Sequence, residues 1–427
     1  MPESPAPADR VVPAGSGPPR LLVLAAYRFP NGDAMSNRLL HLARSATAPG
    51  TTTVVVNDWP ADGTRSPVDP RLPEGIRLLT LPPITGGRAA RWWYRHCRPL
   101  RVLAALRRAG VRRADLSAVC LPLGLWTLTT WAVFRVAVRR PVTVDVLERH
   151  DPGQFAWRWL YPYFIRHRWN AFLAARLADR IITVSTTLWD DFAHRRPTLV
   201  VPPQVDCADY APPAPPPLAD GLRLLYAGTA GPKDLLAVVV EGIRRLPEAQ
   251  RHRVRLTIAG VAREQATRLS DLDSAGLADL TDQVTFLGRV PRDRVLAELG
   301  SAHFSVLVRP DAGYARAGFP SKVPESLAAG CPVLLNHTSD LARHVTDGRE
   351  GLVLPGPGPD DVRDGLIRAL ALGDARWWRM SRAARERASD FDYRSWASAV
   401  SDFVVGAGRG AGTANSASVA SSAGGSR

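Results

Sequence analysis

Lysine is almost missing from this sequence. Of 55 basic residues only Lys233 and Lys322 are lysines and the rest are arginine, set against 40 acids for a formal net charge of +15. An ammonium is a compact point charge and a guanidinium a planar fork, so the two are not interchangeable where geometry matters. The two places that keep lysine are therefore candidate sites. Cysteine is scarce as well: Cys97, Cys120, Cys207 and Cys331 are scattered, with no C-x-x-C pair. That excludes a zinc-ribbon ligand set and a disulfide framework and predicts a reducing, cytoplasmic setting. The longest apolar run, Leu116 to Val138, is broken by Pro122, Gly124, threonines and Arg135, which reads as a buried strand plus helix rather than a membrane span. The first residues hold no basic segment leading into an apolar one, so no secretory signal is expected. Neither G-x-G-x-x-G nor G-x-x-x-x-G-K-[ST] follows a candidate strand, which removes the main support for dinucleotide redox chemistry and P-loop hydrolysis.

What is present fits a globular protein of 427 residues, 45% hydrophobic and 22% charged, a length that calls for two domains. Residues 1–19 and 407–427 are rich in Pro, Gly, Ser and Ala and are expected to be disordered tails, because they have too few large apolar groups to offset ordering entropy. Between them, strand and helix patterns alternate. Leu21–Ala26, Thr52–Asn57, Arg77–Leu81, Val142–Leu147 and Arg180–Val184 read as strands of a first α/β domain, residues 20–203. Residues 204–217 form a Pro-rich linker, where proline stiffens the chain and cannot continue a regular element. A second α/β domain, residues 218–385, restarts with strands at Leu222–Ala227, Arg255–Gly260, Val284–Leu287, Ser305–Val308 and Pro332–Leu335. The expected fold class is α/β, two facing Rossmann-like doubly wound parallel sheets with a cleft between them, since ligands sit at the carboxyl ends of such strands.

Two segments carry chemistry. In the first, Leu224–Asp234, a strand runs into a loop holding Gly228, Thr229, Gly231 and Lys233, and a helix follows. Glycines admit a phosphate close to the backbone, helix N–H groups face it and Lys233 adds a charge. In the second, Ala317–Leu334, a loop with Gly318, Phe319 and Pro320 leads into a helix with Ser321 as its expected cap. Lys322 follows, and Glu325 lies in the first turn, where a carboxylate can accept two ribose hydroxyls.

These blocks resemble glycosyltransferase family 4. From about Leu222 to Trp396 the resemblance rests on "YAGTAGPKD", "VRLTIAG", "VTFLGRVPRDRV" and "GFPSKVPESLAAGCPVLLNHTSDLARHVTDGREGLVL", in that order. The first half follows more loosely, through "RFPNGDAMSNRLLHLA" and "ADRIITVSTTLWDDF" before "LVVPPQVDCADY". The resemblance implies a GT-B, retaining hexosyltransferase-type enzyme that uses a nucleotide-diphosphate sugar as co-substrate, with no cofactor and no essential metal. It places Lys233 on the donor diphosphate, Glu325 on the ribose, Gly288, Arg289 and Val290 around the base, and Ser321 and Lys322 near phosphates or sugar. Gly228, Thr229, Phe319 and Pro320 complete the donor set; Gly32 would approach the donor from the first domain and His150 would stand on the acceptor side. It also implies that residues 386–406 cross back to the first domain. Where the family carries Glu-x7-Glu, this chain keeps Glu325 but has Ala317 at the first position, and Pro232-Lys233 stands where Arg-Lys is common.

The expected acceptor is a glycan, a lipid-linked molecule or a natural product; a nucleotide-sugar epimerase and an inactive membrane-associated relative are the rival readings. Glu148, His150 and Asp151 follow a strand end and can face the cleft. Asp190-Asp191 and Asp271/Asp273 mimic metal pairs but fall in surface patterns. Arg88–Arg113 holds nine arginines and no acid, with Arg88, Arg91, Arg95 and Arg98 at helical spacing beside Trp92, Trp93 and Tyr94, and Trp157–Trp169 repeats the basic-aromatic theme. Cations interleaved with Trp suit an anionic membrane surface, so a peripheral site at the inner face of the membrane is expected. Nucleic acid is not expected as a partner, because no nucleic-acid motif accompanies the charge.

Overall fold

The computed structural model describes residues 19–25, 29, 34–57, 72–81, 86, 87, 89, 93, 97–155, 157–229, 231, 233–269, 277 and 279–406. Two wholly parallel sheets organise them. The first contains β1 (Pro19–Ala25), β2 (Thr52–Asn57), β3 (Ile76–Thr80), β4 (Ala118–Pro122), β5 (Val142–Val146), β6 (Arg180–Thr183) and β7 (Thr198–Val200), in the order β3-β2-β1-β4-β5-β6-β7. The second contains β8 (Leu222–Ala227), β9 (Val254–Ala259), β10 (Val284–Gly288), β11 (Phe304–Leu307), β12 (Val333–Asn336) and β13 (Gly351–Leu354), in the order β10-β9-β8-β11-β12-β13. Both are doubly wound α/β sheets whose strand order reverses beside the first strand, at β1/β4 and at β8/β11, and that reversal opens a crevice for ligand at the strand ends. Continuous burial drives it. All six residues of β2 are buried, because a parallel sheet is covered by helices on both faces. The strands β7 and β13, three and four residues long, went unread in the sequence.

Helix Ala34–Ala46 buries Leu39, Leu42, Ala43 and Ala46 at helical spacing, and also Ser36, Arg38, His41 and Ser45. Its polar side is covered because the last helix among the described residues, Ala397–Val404, returns to this layer and buries Val400 and Val404 with Leu42 and Val23. Arg180 fastens it by donating to the carbonyls of Val404 at 3.0 Å and Gly406 at 2.8 Å. Two chain crossings between the sheets run side by side, with Val205 N donating to Phe391 O at 2.9 Å and Tyr393 N to Val205 O at 3.0 Å. A separate contact joins the domains at the strand ends. The helix Thr186–Phe192 starts with Thr186 N and Oγ1 donating to the Asp340 carboxylate at 2.8 and 2.5 Å, and Ser185 Oγ donates to Ala317 O at 2.6 Å.

Among the described residues no helix is long and apolar enough to cross a membrane. Helix Arg98–Arg108 buries Pro99, Val102 and Leu106, and Arg98 donates to Ala25 O at 3.0 Å. That part of the basic segment is therefore packed on the domain rather than presented as a separate face. Of residues 88–96 only Ala89 and Trp93 belong to the described set; Asp271, Asp273 and both tails lie outside it, except Pro19, which opens β1.

Candidate functional site

Three neighbouring strands of the second sheet end on glycines in left-handed backbone: Gly228 after β8 (φ +147°), Gly260 after β9 (φ +109°) and Gly288 closing β10 (φ +65°). They are stitched together, Gly228 N donating to Ala259 O at 2.8 Å and Gly260 N to Gly288 O at 2.7 Å. A Cβ on Gly260 would lie 2.7 Å from the Gly228 carbonyl, and one on Gly228 would lie 2.5 Å from Lys322 Cε. Only glycine meets both demands without strain. The result is a shelf of bare backbone along the rim of the cleft. Gly228 and Gly288 were legible as site residues; Gly260, inside the quoted "VRLTIAG", was not singled out.

Lys322 lies against this shelf. Its ammonium pairs with Asp234 and sits 4.0 Å from the centre of the Tyr226 ring. Asp234 also accepts from Arg309 Nε at 3.2 Å and from Tyr226 Oη at 3.1 Å. Arg309, directly beyond β11, is held in turn by the Lys233 carbonyl at 3.3 Å and by Asn336, which accepts from Arg309 N at 2.9 Å. Burial pulls the Lys322 ammonium below the usual lysine range despite Asp234. At Asp234 burial pushes upward, but Lys322 and Arg309 outweigh it and hold the carboxyl below its usual range. Asp234, Tyr226 and Arg309 were not among the expected site residues; the first two had only their place in the "YAGTAGPKD" block as a signal, and Arg309 had none.

Lys233 points the other way, across to the first domain. It pairs with Glu148, which follows β5. Glu148 Oε1 lies 3.6 Å from His150 Nε2, and Tyr163 Oη reaches the same nitrogen at 3.3 Å. The His167 ring packs edge-on against His150 with centroids 4.6 Å apart. Burial raises the Glu148 carboxyl, but Lys233 and the two histidines outweigh it and leave it below the ordinary carboxylate range. Burial lowers His150 despite Glu148, and lowers His167, with help from His150, to about 4. Both imidazoles are therefore neutral near pH 7. Beside them Asp151 accepts from Tyr314 N at 2.9 Å, so the loop after β5 is bonded to the second domain on both sides of His150.

The other expected site residues divide. Glu325 lies in the first turn of helix Lys322–Ala328, where Arg292 reaches it at 3.3 Å while also donating to Tyr210 Oη at 3.1 Å. Ser321 does not cap that helix with its side chain. Its backbone is already helical (φ −61°, ψ −20°), which turns the hydroxyl away from the free N–H groups. Phe319 is turned inward, its ring 5.8 Å from those of both His344 and Phe391, and Pro320 is buried beside it. These two can offer a ligand only backbone. Thr229 is exposed on the shelf and its carbonyl accepts from Tyr226 Oη at 3.2 Å. Arg289 is exposed and Val290 half-buried beyond β10. Gly32 lies outside the described residues. Ala317 is fully buried, its carbonyl taken by Ser185. Asp191 is paired with Arg149 at 3.4 Å, and among the described residues no three His, Cys, Asp or Glu side chains converge as metal ligands.

Residues 215–387, which carry the glycine shelf and both lysines, match the family of Glycosyl transferases group 1. The second domain is a glycosyltransferase group 1 domain. Solved structures extend the likeness to the whole frame. Sucrose-phosphate synthase from Thermosynechococcus elongatus superposes with a TM-score of 0.68 at 16% identity, covering 89% of this chain and 97% of its own. Anabaena HepE in complex with UDP and glucose gives 0.63 at 15% identity, covering 90% and 98%. The E. coli trehalose-6-phosphate structure bound with UDP-2-fluoro glucose gives 0.62 at 14%, covering 90% and 98%. No curated protein matches the chain. The chain thus has the GT-B fold, two Rossmann-like domains that meet where β5, β8 and β11 end.

Proposed function

We propose that this protein moves a sugar, with retention of anomeric configuration, from a UDP- or GDP-linked donor to a glycan, lipid-linked or natural-product acceptor. The observation that carries the reading is the Lys322 ammonium against Gly228 of the glycine shelf, with the chain's other lysine, Lys233, five residues along the same loop and reaching across the cleft to Glu148. A diphosphate on bare backbone beside two ammonium groups gains charge-assisted contacts as negative charge develops on the leaving group. Donor entry would draw Lys233 from Glu148 to the phosphates and release Glu325 from Arg292 toward the ribose. Neutral His150, walled by Tyr163 and His167, would then offer a hydrogen bond on the first-domain side. The positive charge for departure comes from side chains in this scheme, so no resident metal is required. UDP and glucose in the HepE complex, and UDP-2-fluoro glucose in the E. coli structure, make uridine donors the first to try.

The deciding experiment is a thermal-shift panel of UDP-, GDP-, ADP- and TDP-sugars, since ligand at 100 times its Kd stabilises the fold by about 2.7 kcal/mol. Lys233→Ala should keep its circular dichroism and lose about tenfold or more in donor affinity, the worth of one charged hydrogen bond. Glu325→Ala should behave likewise. Unchanged donor binding in both variants would remove the site assignment. Activity should survive EDTA; full loss restored by Mg²⁺ or Mn²⁺ would overturn the metal-free scheme. An inverted anomeric signal in the product's NMR spectrum would overturn retention.

A further inference from the structure

Among the described residues fourteen large hydrophobic side chains are exposed, and eight of them fall between Trp157 and Phe172; the second domain contributes only Trp378. Trp157, Trp159, Leu160, Ile165, Trp169 and Phe172 are 42% to 75% exposed. Single exposed apolar residues are ordinary, but a concentrated patch marks an interaction surface. The helix Pro162–Leu177 explains how the patch is held. Its second half is anchored, with Leu173, Ala174 and Ala175 buried and Asn170 Nδ2 donating to Leu123 O at 3.2 Å. Of its first two turns only Phe164 is buried, and the short turn Arg158–Leu160 ahead of it stands outward. Arg158 has φ +46°, a left-handed backbone that a long side chain rarely adopts,. The fold keeps that strain and in doing so leaves Trp157, Trp159 and Leu160 in the open.

Charge gives the patch its character. Residues 152–178 contain Arg158, Arg166, Arg168 and Arg176 and no carboxylate. None of the four is in a salt bridge with a described residue. Three of them lie among the rings instead: Arg176 is 3.8 Å from the Phe172 centroid, Arg166 5.3 Å from Tyr163 and Arg168 5.6 Å from Trp159. We infer that this face docks on an anionic lipid bilayer, the rings and Leu160 and Ile165 entering the headgroup zone while the guanidiniums contact lipid phosphates. Amphipathic aromatics and cations on one surface are what that zone accepts. A second copy of the chain fits badly, because a two-fold contact would set arginines against arginines. Nucleic acid would use the same cations and stack on the rings, but it offers nothing to Leu160 and Ile165. The patch also runs into the cleft, since Tyr163 on this helix reaches His150. The docking does not depend on the transfer reading.

Flotation of the purified full chain with vesicles tests it without donor or turnover. The wild type should float with phosphatidylglycerol/phosphatidylcholine vesicles, stay down with phosphatidylcholine alone, and lose about tenfold in partition or more as salt is raised, because surface charges are screened. Exchanging Trp157, Trp159 and Trp169 for Ser, or Arg158, Arg166 and Arg168 for Glu, should each abolish flotation. Because all six side chains are exposed, the melting temperature and the donor-induced thermal shift should stay as in the wild type. Wild-type protein left at the bottom with anionic vesicles at low salt overturns the proposal, as does flotation that both triple variants retain. It is equally overturned if the tryptophan variant converts a wild-type dimer to monomer in sedimentation, or if single-stranded nucleic acid binds more tightly than the vesicles and is lost in the same variants.

Discussion

The two lysines share one cleft and sit in opposite kinds of surroundings. Lys322 is inside its own domain: its side chain is 20% exposed, its partner Asp234 12%, and a second cation and a tyrosine complete the cluster. Lys233 hangs on a loop with its side chain 39% exposed, and its partner Glu148, 28% exposed, belongs to the opposite domain. An interior pair of this kind is hard to break, because the partner left behind keeps an uncompensated charge. A pair half in water is worth little and comes apart easily. One cation is therefore a fixed part of the fold and the other is free to exchange partners, which suits the proposed binding and release of a donor diphosphate.

The largest test of this contrast is Lys322→Ala. It should destabilise the protein by about 3 kcal/mol in urea unfolding, the lower end for a broken interior pair because Arg309 still faces Asp234. Gly228→Ala comes next. The new methyl must push the Lys322 ammonium off Asp234 and adopt a left-handed backbone, at a cost of about 1–3 kcal/mol. The double variant should then lose clearly less than the sum of the two single losses. Lys233→Ala should shift stability by less than about 1 kcal/mol, and a larger loss would place Lys233 among the structural groups. Acid gives the smallest effect. The Glu148 carboxyl is held below its unfolded range, so its contribution is present above that range and lost as pH falls through the lowered value. Wild type and Lys233→Ala should therefore converge in stability at acid pH, and a gap that widened there would contradict the pairing.

Much of this was open to a reading of the residues alone. Near-continuous apolar runs such as Thr52–Asn57 and Leu222–Ala227 announced buried parallel strands, and the rarity of lysine singled out both cations. What stayed hidden depends on contacts far apart in sequence. Nothing local says that Glu148 will meet Lys233 85 positions away, or that Asp234 will meet Lys322 88 positions away. The cap expected at Ser321 failed because tertiary packing sets the backbone there helical before the helix begins. Arg88–Arg113 drew attention through density of charge, but among the described residues exposure, which composition does not report, concentrates the apolar side chains at Trp157–Phe172.

The Thr186–Asp340 contact has a mechanical meaning. The first N–H of a first-domain helix is satisfied by a carboxylate of the second domain, while Ser185 caps the Leu188 N–H from within, so separating the domains at that point would leave the Thr186 donors without their partner, at about 1 kcal/mol. The paired crossings at Val205 and Asp392 tie the domains at a second point. The β5 loop is bonded across as well, Glu148 to Lys233 and Asp151 to Tyr314 N, so a swing of the lobes that opens the cleft at this loop breaks those bonds, and opening the cleft and freeing Lys233 become one motion.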